Sequence, residues 1–273
     1  MPPRPGHEVR FLPALGRLAY YGEASTPRTW QTHWEVESFD VARSLAFAAT
    51  DRYTRSLVDS FLPSPRDAVL EAGCGIGGHV HALRGRGLRV AGVDWSFATL
   101  ARTRRTAPDL PLCAGDVRTL PFRDGAFGLV LSFGVIEHFP EGFAAPLRES
   151  ARVLRPGGRL AVTFPALNPL RRLRIRLGRY PEGEPTDDRP LYQYVLDPPE
   201  VVRAAEGIGF RLLRARGRNG LKGIREDVAF LRPLADRLVS SRSTFLPFRA
   251  VKHLLDLLLA PVCGHMAELV FER

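Results

Sequence analysis

Apolar positions along this chain follow two rhythms. From residue 67 onward, short apolar runs alternate with stretches whose apolar residues recur every three or four positions. The runs are AVLEAG (68–73), LRVAGVD (88–94), LPLCAGD (110–116), GLVLSF (128–133) and GRLAVTF (158–164). Between them lie HVHALRGRG, FATLARTRRTA and FAAPLRESARVLRPGG, which carry the helical period. Short apolar strands separated by helices predict βαβ units and a mostly parallel, doubly wound sheet covered by helices on both faces. Further on, PPEVVRAAEGIG reads as a helix, FRLLRARG as a strand, and HMAELVFE as a last strand after two more helical stretches.

The remaining segments read differently. Residues 1–65 form an N-terminal cap segment. It is irregular at first, with Pro3, Pro5 and Pro13, and then carries an aromatic cluster of Tyr20, Tyr21, Trp30, His33 and Trp34. Leu45, Phe47, Tyr53, Leu57, Val58 and Phe61 recur at helical spacing, so 41–62 reads as one helix that Pro63 and Pro65 end. The main domain is then 66–273, interrupted at 165–196 by an insertion rich in proline and arginine. The expected architecture is a single α/β domain with a helical cap and a lid.

Composition sets limits on this picture. With 273 residues, 45% hydrophobic and 25% charged, the chain is ordinary globular material rather than collagen, coiled coil or disorder. The longest apolar stretch, near 254–263, is broken by Asp256 and Pro261 and is too short to span a bilayer. No apolar signal-peptide core is read at the N-terminus. Cys74, Cys113 and Cys263 are odd in number and far apart, which fits a reduced, cytoplasmic protein. The formal charge of +10 invites a polyanionic partner. Yet only Lys222 and Lys252 are lysines, and the Arg, Ala, Gly and Pro bias matches what a GC-rich genome would produce.

Candidate chemistry centres on VLEAGCGIGGH (69–79), a strand running into a glycine turn and a helix start. Such a turn lets a ligand lie against the backbone and faces it with helix N-terminal amides. Gly73, Gly75 and Gly78 also satisfy the G-x-G-x-x-G dinucleotide pattern, so an NAD(P)-dependent oxidoreductase stays open. Glu71 argues against it, because a carboxylate beside a pyrophosphate is repelled, whereas a cationic amino-acid end would be welcome. Acids also end the next two strands, Asp94 after VAGV and Asp116 after LCAG. The first suits ribose hydroxyls, and strand carboxyl ends are where open α/β sheets bind ligands.

These motifs, in this order, resemble those of class I S-adenosylmethionine-dependent methyltransferases. The similarity is to the small-molecule, ubiquinone/menaquinone-type (type 11) branch. VLEAGCGIGGH, GVDWS, AGDVRTLPF, FGLVLSFGVIEHF and LRPGGRLAVTF resemble the successive motifs over about 67–165, and YQYVLDPPEVVRAAEGIGF resembles the later helix and strand. The resemblance implies a Rossmann-like, seven-stranded sheet and S-adenosylmethionine as cofactor. It also implies roles. Gly73 and Gly75 would line the methionine part, with Glu71 beneath it. Asp94 would hold the ribose and Trp95 would pack on the adenine. Asp116 and the Val117 amide would meet the adenine edge, and Ser132 and Phe133 would face the methionine chain and methyl group.

Methyl transfer from a sulfonium mainly needs alignment and exclusion of water. His138, just past the fourth strand, is the candidate base, and His33 a second one on the cap. Trp34 and its aromatic neighbours would close over cofactor or substrate. In the insertion, LNPLRRLRIRLGRY places Arg171, Arg172, Arg174, Arg176 and Arg179 among large aliphatics. A lid that grips an anionic or lipid-like acceptor, with Arg171 and Arg172 as substrate residues, is one reading. Contact with an anionic membrane is another, and a solvated helix a third. Nucleic acid is the weaker partner. The Asn/Asp/Ser-Pro-Pro-aromatic motif of amino-methylating enzymes is absent after strand four, where the chain reads SFGV, and Asp197-Pro198-Pro199 reads as a helix start. A cofactor-binding protein without catalysis is the third functional class.

Overall fold

The computed structural model describes residues 7–34, 40–240 and 245–273, without the side chains of His33, Ser240 and Leu246. The elements in chain order begin with β1 (Glu8–Leu12), β2 (Arg17–Tyr21), α1 (Pro27–Trp34), α2 (Val41–Ala48) and α3 (Arg52–Phe61). β3 (Val69–Ala72), α4 (Gly78–Arg84), β4 (Val90–Asp94), α5 (Phe97–Thr106), β5 (Leu112–Ala114) and β6 (Phe127–Phe133) follow. Next are α6 (Ala144–Val153), β7 (Leu154–Pro165), α7 (Pro169–Arg176), β8 (Leu191–Val195), α8 (Pro198–Ile208) and β9 (Arg211–Arg218). The chain ends with α9 (Gly220–Asp227), α10 (Arg232–Ser240), α11 (Leu246–Cys263) and β10 (Met266–Glu272).

Seven strands form one sheet in the order β5-β4-β3-β6-β7-β10-β9. β3 is parallel to both neighbours, with Val69 opposite Val90 and Leu129, and Glu71 opposite Gly92 and Leu131. These strands are buried on both faces, which is why they read as continuous apolar runs. The chain leaves β3 toward β4 and β5, then crosses back to β6 on the other side. The carboxyl end of β3 is therefore the switch point at which open sheets bind ligands.

The chain divides into two compact units, and the division does not fall at residue 65. One unit holds Met1–Ala24, Thr163–Val202 and Arg214–Leu269, and the other Ser25–Val162, Arg203–Leu213 and Val270–Arg273. In the second unit, Leu57 and Val58 of α3 pack on Val69, Leu129, Leu131 and Ala161. Each of these fully buried leucines and valines contributes about 1.5–3 kcal/mol. Val41 and Leu45 of α2 pack with Val80, Leu100 and Leu112. The expected single helix over 41–62 is two, because Asp51 accepts the Tyr53 and Thr54 amides at 3.0 Å and starts α3 afresh.

The first unit holds two departures from expectation. Residues 8–21, expected to be irregular, form a hairpin that pairs antiparallel with β8 in a three-stranded sheet. Leu18 and Tyr20 of β2, with Val9 and Phe11 of β1, pack with Leu167, Tyr192 and Val195; the alternation in EVRFL is a strand signal, whereas RLAYY is buried from Leu18 to Tyr21. The insertion is not a free-standing lid. Asn168 caps α7 by accepting the Arg171 amide at 2.8 Å and donates its own amide to Gly264 O at 3.0 Å. Arg171, expected to face a substrate, is wholly buried and donates to Asp227 Oδ2 at 2.9 Å and to Ala166 O at 2.9 Å. Arg172 pairs with Asp197. α7 thus turns one arginine inward, where the acids of α9 offset its desolvation.

Candidate functional site

The site begins at the end of β3. The chain turns through Gly73 (φ +84°) and Gly75 (φ +53°), conformations that a side chain strains. A Cβ on Gly73 would run into the Val135 side chain, and one on Gly75 would sit 2.9 Å from the Trp34 ring. The glycines therefore leave backbone bare where α1, β3 and the segment after β6 converge. A cavity of about 310 Å³ opens there, lined among others by Trp30, Trp34, Glu71, Asp94, Trp95 and His138. Its size lies at the lower end of small-ligand sites, with mostly apolar walls and a few polar groups.

Glu71 is 3% exposed, and its Oε1 accepts His79 Nδ1 at 2.6 Å. Its Oε2 is buried with no hydrogen-bond partner among the described residues. A buried, unpaired carboxylate oxygen costs free energy unless a donor arrives, so it suits a cationic ligand group. His79 Nε2 lies 3.8 Å from Asp51 Oδ2 and the ring meets Phe133 edge-on at 5.4 Å. Burial pushes the imidazole pKa down, but the Glu71 and Asp51 carboxylates outweigh it and hold the pKa above 6.5. The sequence reading did not single out His79. Its signal was position, in the first turn of the helix that folds back beside the β3 end.

Asp94 ends β4 and is buried. Its Oδ2 accepts the Gly75 amide and its Oδ1 the Ser96 amide, each at 2.9 Å. Burial raises its pKa against these hydrogen bonds. The carboxylate therefore shapes the glycine turn itself and retains one lone pair per oxygen for a ligand. Trp95 is half-buried on the cavity wall, with its ring 6.3 Å from that of Phe139.

The remaining candidates separate. Gly115 and Val117 line the cavity, whereas the Asp116 carboxylate is gripped by Arg118 at 2.6–3.0 Å, which holds its pKa below the usual range. Arg118 in turn lies over the Phe139 ring at 5.0 Å. Phe133 lines the cavity, and Ser132 is buried in β6 outside that lining. His138 is 7% exposed and meets Trp30 edge-on at 5.1 Å. Its neighbour Glu137, also missed in the sequence, is fully buried with Oε2 unpartnered, and burial pushes its pKa up to about 8. Arg171 and Arg172 are not among the lining residues. The side chain of His33 lies outside the described residues.

Among the described residues no group of three or more His, Cys, Asp or Glu side chains is arranged to hold a metal. No helix there is long and apolar enough to cross a membrane.

Residues 70–162 match the family described as methyltransferase domain. The chain is 39% identical over 129 residues to a demethylmenaquinone methyltransferase of Mycolicibacterium vanbaalenii, covering 45% of this chain and 54% of that protein. It is 36% identical over 126 residues to the protein of the same name from Beutenbergia cavernae, covering 45% and 52%. The chain thus spans about half the length of these curated relatives. A solved S-adenosylmethionine-dependent methyltransferase from Mesorhizobium loti shares the fold with a TM-score of 0.54 at 17% identity, covering 84% of this chain and all of that one. The G-x-G-x-x-G match at Gly73 lies within the residues that match the methyltransferase domain.

Proposed function

We propose that this chain, whose residues 70–162 are a class I S-adenosylmethionine-dependent methyltransferase domain, transfers a methyl group to a small, lipid-like acceptor of the menaquinone-precursor class. The observation that carries the cofactor is the buried, unpartnered Glu71 Oε2 beside a glycine turn too tight for side chains. An amino-acid ammonium group satisfies that oxygen, and a dinucleotide pyrophosphate does not. When bound, S-adenosylmethionine supplies a methyl carbon activated by its sulfonium.

The chain's own residues do the rest. Glu71 receives the ammonium, and His79 fixes the orientation of its carboxylate. Asp94 offers its remaining lone pairs to ribose hydroxyls while holding the Gly75 and Ser96 amides. Trp95 and Val117 form the adenine walls, with Asp116 beside them held by Arg118. Phe133, Trp30 and Trp34 exclude water, which strengthens every electrostatic interaction inside. His138 takes a proton from an acceptor that must lose one. The quinone-type acceptor rests on the names of the relatives and on the apolar cavity walls. A cytoplasmic location fits the free thiols of Cys74, Cys113 and Cys263.

The test has two arms. S-adenosylhomocysteine should raise the melting temperature, because a ligand bound only by the native state stabilises it, and NAD and NADP should not. Incubation with S-adenosylmethionine and demethylmenaquinone should then give a product heavier by one methyl group. Stabilisation by a dinucleotide alone would overturn the cofactor assignment. Cofactor binding without turnover of any quinone would reduce the protein to a binding module or direct attention to another acceptor.

A further inference from the structure

We infer that the groove between α1 and α5 binds a phosphorylated small molecule, holding its phosphate on the arginines of the groove and its apolar part on Phe97. Two hollows, of about 570 and 490 Å³, make up the groove. Gln31, Phe97 and Ala98 line both, so the two are continuous. The helical period builds the walls. Ala98, Ala101, Arg102 and Arg105 stand at i, i+3, i+4 and i+7 of α5, a single stripe, and all four line one hollow. Pro27, Arg28, Gln31 and Thr32 stand at i, i+1, i+4 and i+5 of α1, on one side of that helix, and line the other hollow.

Charge sets this groove apart from an ordinary gap between helices. Arg28 and Arg105 are exposed, and neither guanidinium makes a hydrogen bond or ion pair among the described residues. Arg102 donates to Trp34 O and so ties α5 to the end of α1. No Asp or Glu lines either hollow, and neither helix contains one. Other arginines of the same unit find acids: Arg86 pairs with Asp59, Arg152 with Asp124 and Arg155 with Asp67. Like charges left uncompensated in one groove repel one another, and an anion relieves that repulsion.

Phe97 is 71% exposed at the point where the two hollows meet. An aromatic face left in solvent among guanidiniums suits a ligand with a flat apolar part beside its charge. Guanidinium forks match the oxygens of a phosphate, and a dianionic phosphate answers more of this charge than a monoanionic carboxylate. The hollows are concave, so the phosphate belongs to a molecule that enters them and not to the broad face of a bilayer. Trp34 and Trp95 wall both the groove and the methyltransferase cavity, so an occupant touches residues of that cavity. Binding in the groove is nevertheless independent of which acceptor the cavity takes.

Calorimetric titration of the full chain with phenyl phosphate and with inorganic phosphate, at physiological salt and with and without S-adenosylhomocysteine, tests the site. The wild type should bind phenyl phosphate, and inorganic phosphate several-fold more weakly because it leaves Phe97 uncovered. Arg28→Gln/Arg105→Gln should weaken both by about tenfold or more, the loss expected for charge-assisted contacts. Phe97→Ser should weaken phenyl phosphate alone, to the level of inorganic phosphate. All three positions are exposed, so these variants should keep the fold. Arg123→Gln/Arg148→Gln, which removes two exposed arginines elsewhere on the same unit, should change neither affinity. Equal losses in the two arginine pairs would be a response to net charge and would overturn the site. No binding of phenyl phosphate to the wild type overturns it as well, and so does binding untouched by Arg28→Gln/Arg105→Gln or an undiminished preference for phenyl phosphate in Phe97→Ser. Displacement by S-adenosylhomocysteine would put the phosphate in the cavity instead. Binding to phosphatidylglycerol vesicles without binding of phenyl phosphate would assign the arginines to a membrane surface and equally overturn the inference.

Discussion

His79 Nδ1 donates to Glu71 Oε1 at 2.6 Å while its Nε2 lies 3.8 Å from Asp51 Oδ2, so one imidazole is held between two carboxylates from different elements. The pair raises the His79 pKa above 6.5 despite burial. The native state then binds the proton more tightly than the unfolded chain. Its stabilisation is complete below pH 6.5 and is lost as pH rises through the raised native value. Urea midpoints measured across that window should fall in the wild type, and His79→Gln should remove this part of the fall. The variant should also bind S-adenosylhomocysteine several-fold more weakly, because Glu71 loses its orienting partner. Unchanged midpoints and affinity in His79→Gln would show that the pair orients nothing.

Glu137 acts in a lower window. Burial raises its native pKa to about 8 from 4.5, so the native state keeps a proton that the unfolded chain gives up. The associated stabilisation is full below pH 4.5 and disappears by about pH 8. Glu137→Gln retains the shape without the ionisable group. It should therefore leave stability at pH 4 nearly as it is and raise it above pH 8, by a few kcal/mol at most. Thermal melts of both proteins at the two extremes check this, and equal melting temperatures at high pH would contradict it.

The central sheet was legible because buried parallel strands are continuous apolar runs, and the three acids Glu71, Asp94 and Asp116 stand at successive strand ends. What was illegible has physical reasons. His79 is a functional-site candidate only once α4 folds back on β3. Asp116 reads as a ligand contact until Arg118 occupies its carboxylate. In the hairpin only EVRFL of β1 alternates, over five residues, and RLAYY of β2 does not, so neither stands out beside Pro13 and Gly16. The arginines of α7 read as a solvated or substrate-facing set because no local rule reveals that Asp227, 56 residues away, waits for one of them.

Gly75 tests the closeness of backbone and ring. Its φ of +53° and the Trp34 ring 2.9 Å from a built Cβ both oppose a side chain. Gly75→Ala should lower stability by about 1–3 kcal/mol and, by moving Trp34, weaken S-adenosylhomocysteine binding more than tenfold. Trp34→Ala combined with Gly75→Ala removes the clash and leaves only the backbone strain. The double variant should therefore be more stable than the sum of the two single losses. Strict additivity in a double-mutant cycle would show that the ring and the turn do not press on each other.

Arg171 separates a structural arginine from a substrate-gripping one. It is wholly buried, with its guanidinium on Asp227 Oδ2 and Ala166 O at 2.9 Å and 3.1 Å from His265 Nδ1. Burial raises the Asp227 pKa even with the arginine beside it and lowers that of His265 to about 3. Removing the guanidinium leaves Asp227 buried without its cation, a loss that costs about 3–5 kcal/mol. Arg171→Met should therefore melt well below the wild type. Arg171→Met/Asp227→Leu removes both charges at nearly constant volume and should recover most of that stability. Neither variant should alter S-adenosylhomocysteine affinity per folded molecule, because Arg171 is not part of the cavity lining. A lid residue would behave in the opposite way, with melting temperature preserved and the acceptor's KM raised. Melting curves and acceptor kinetics of the two variants decide between these outcomes, and an unshifted melting temperature in Arg171→Met would return the arginine to the substrate.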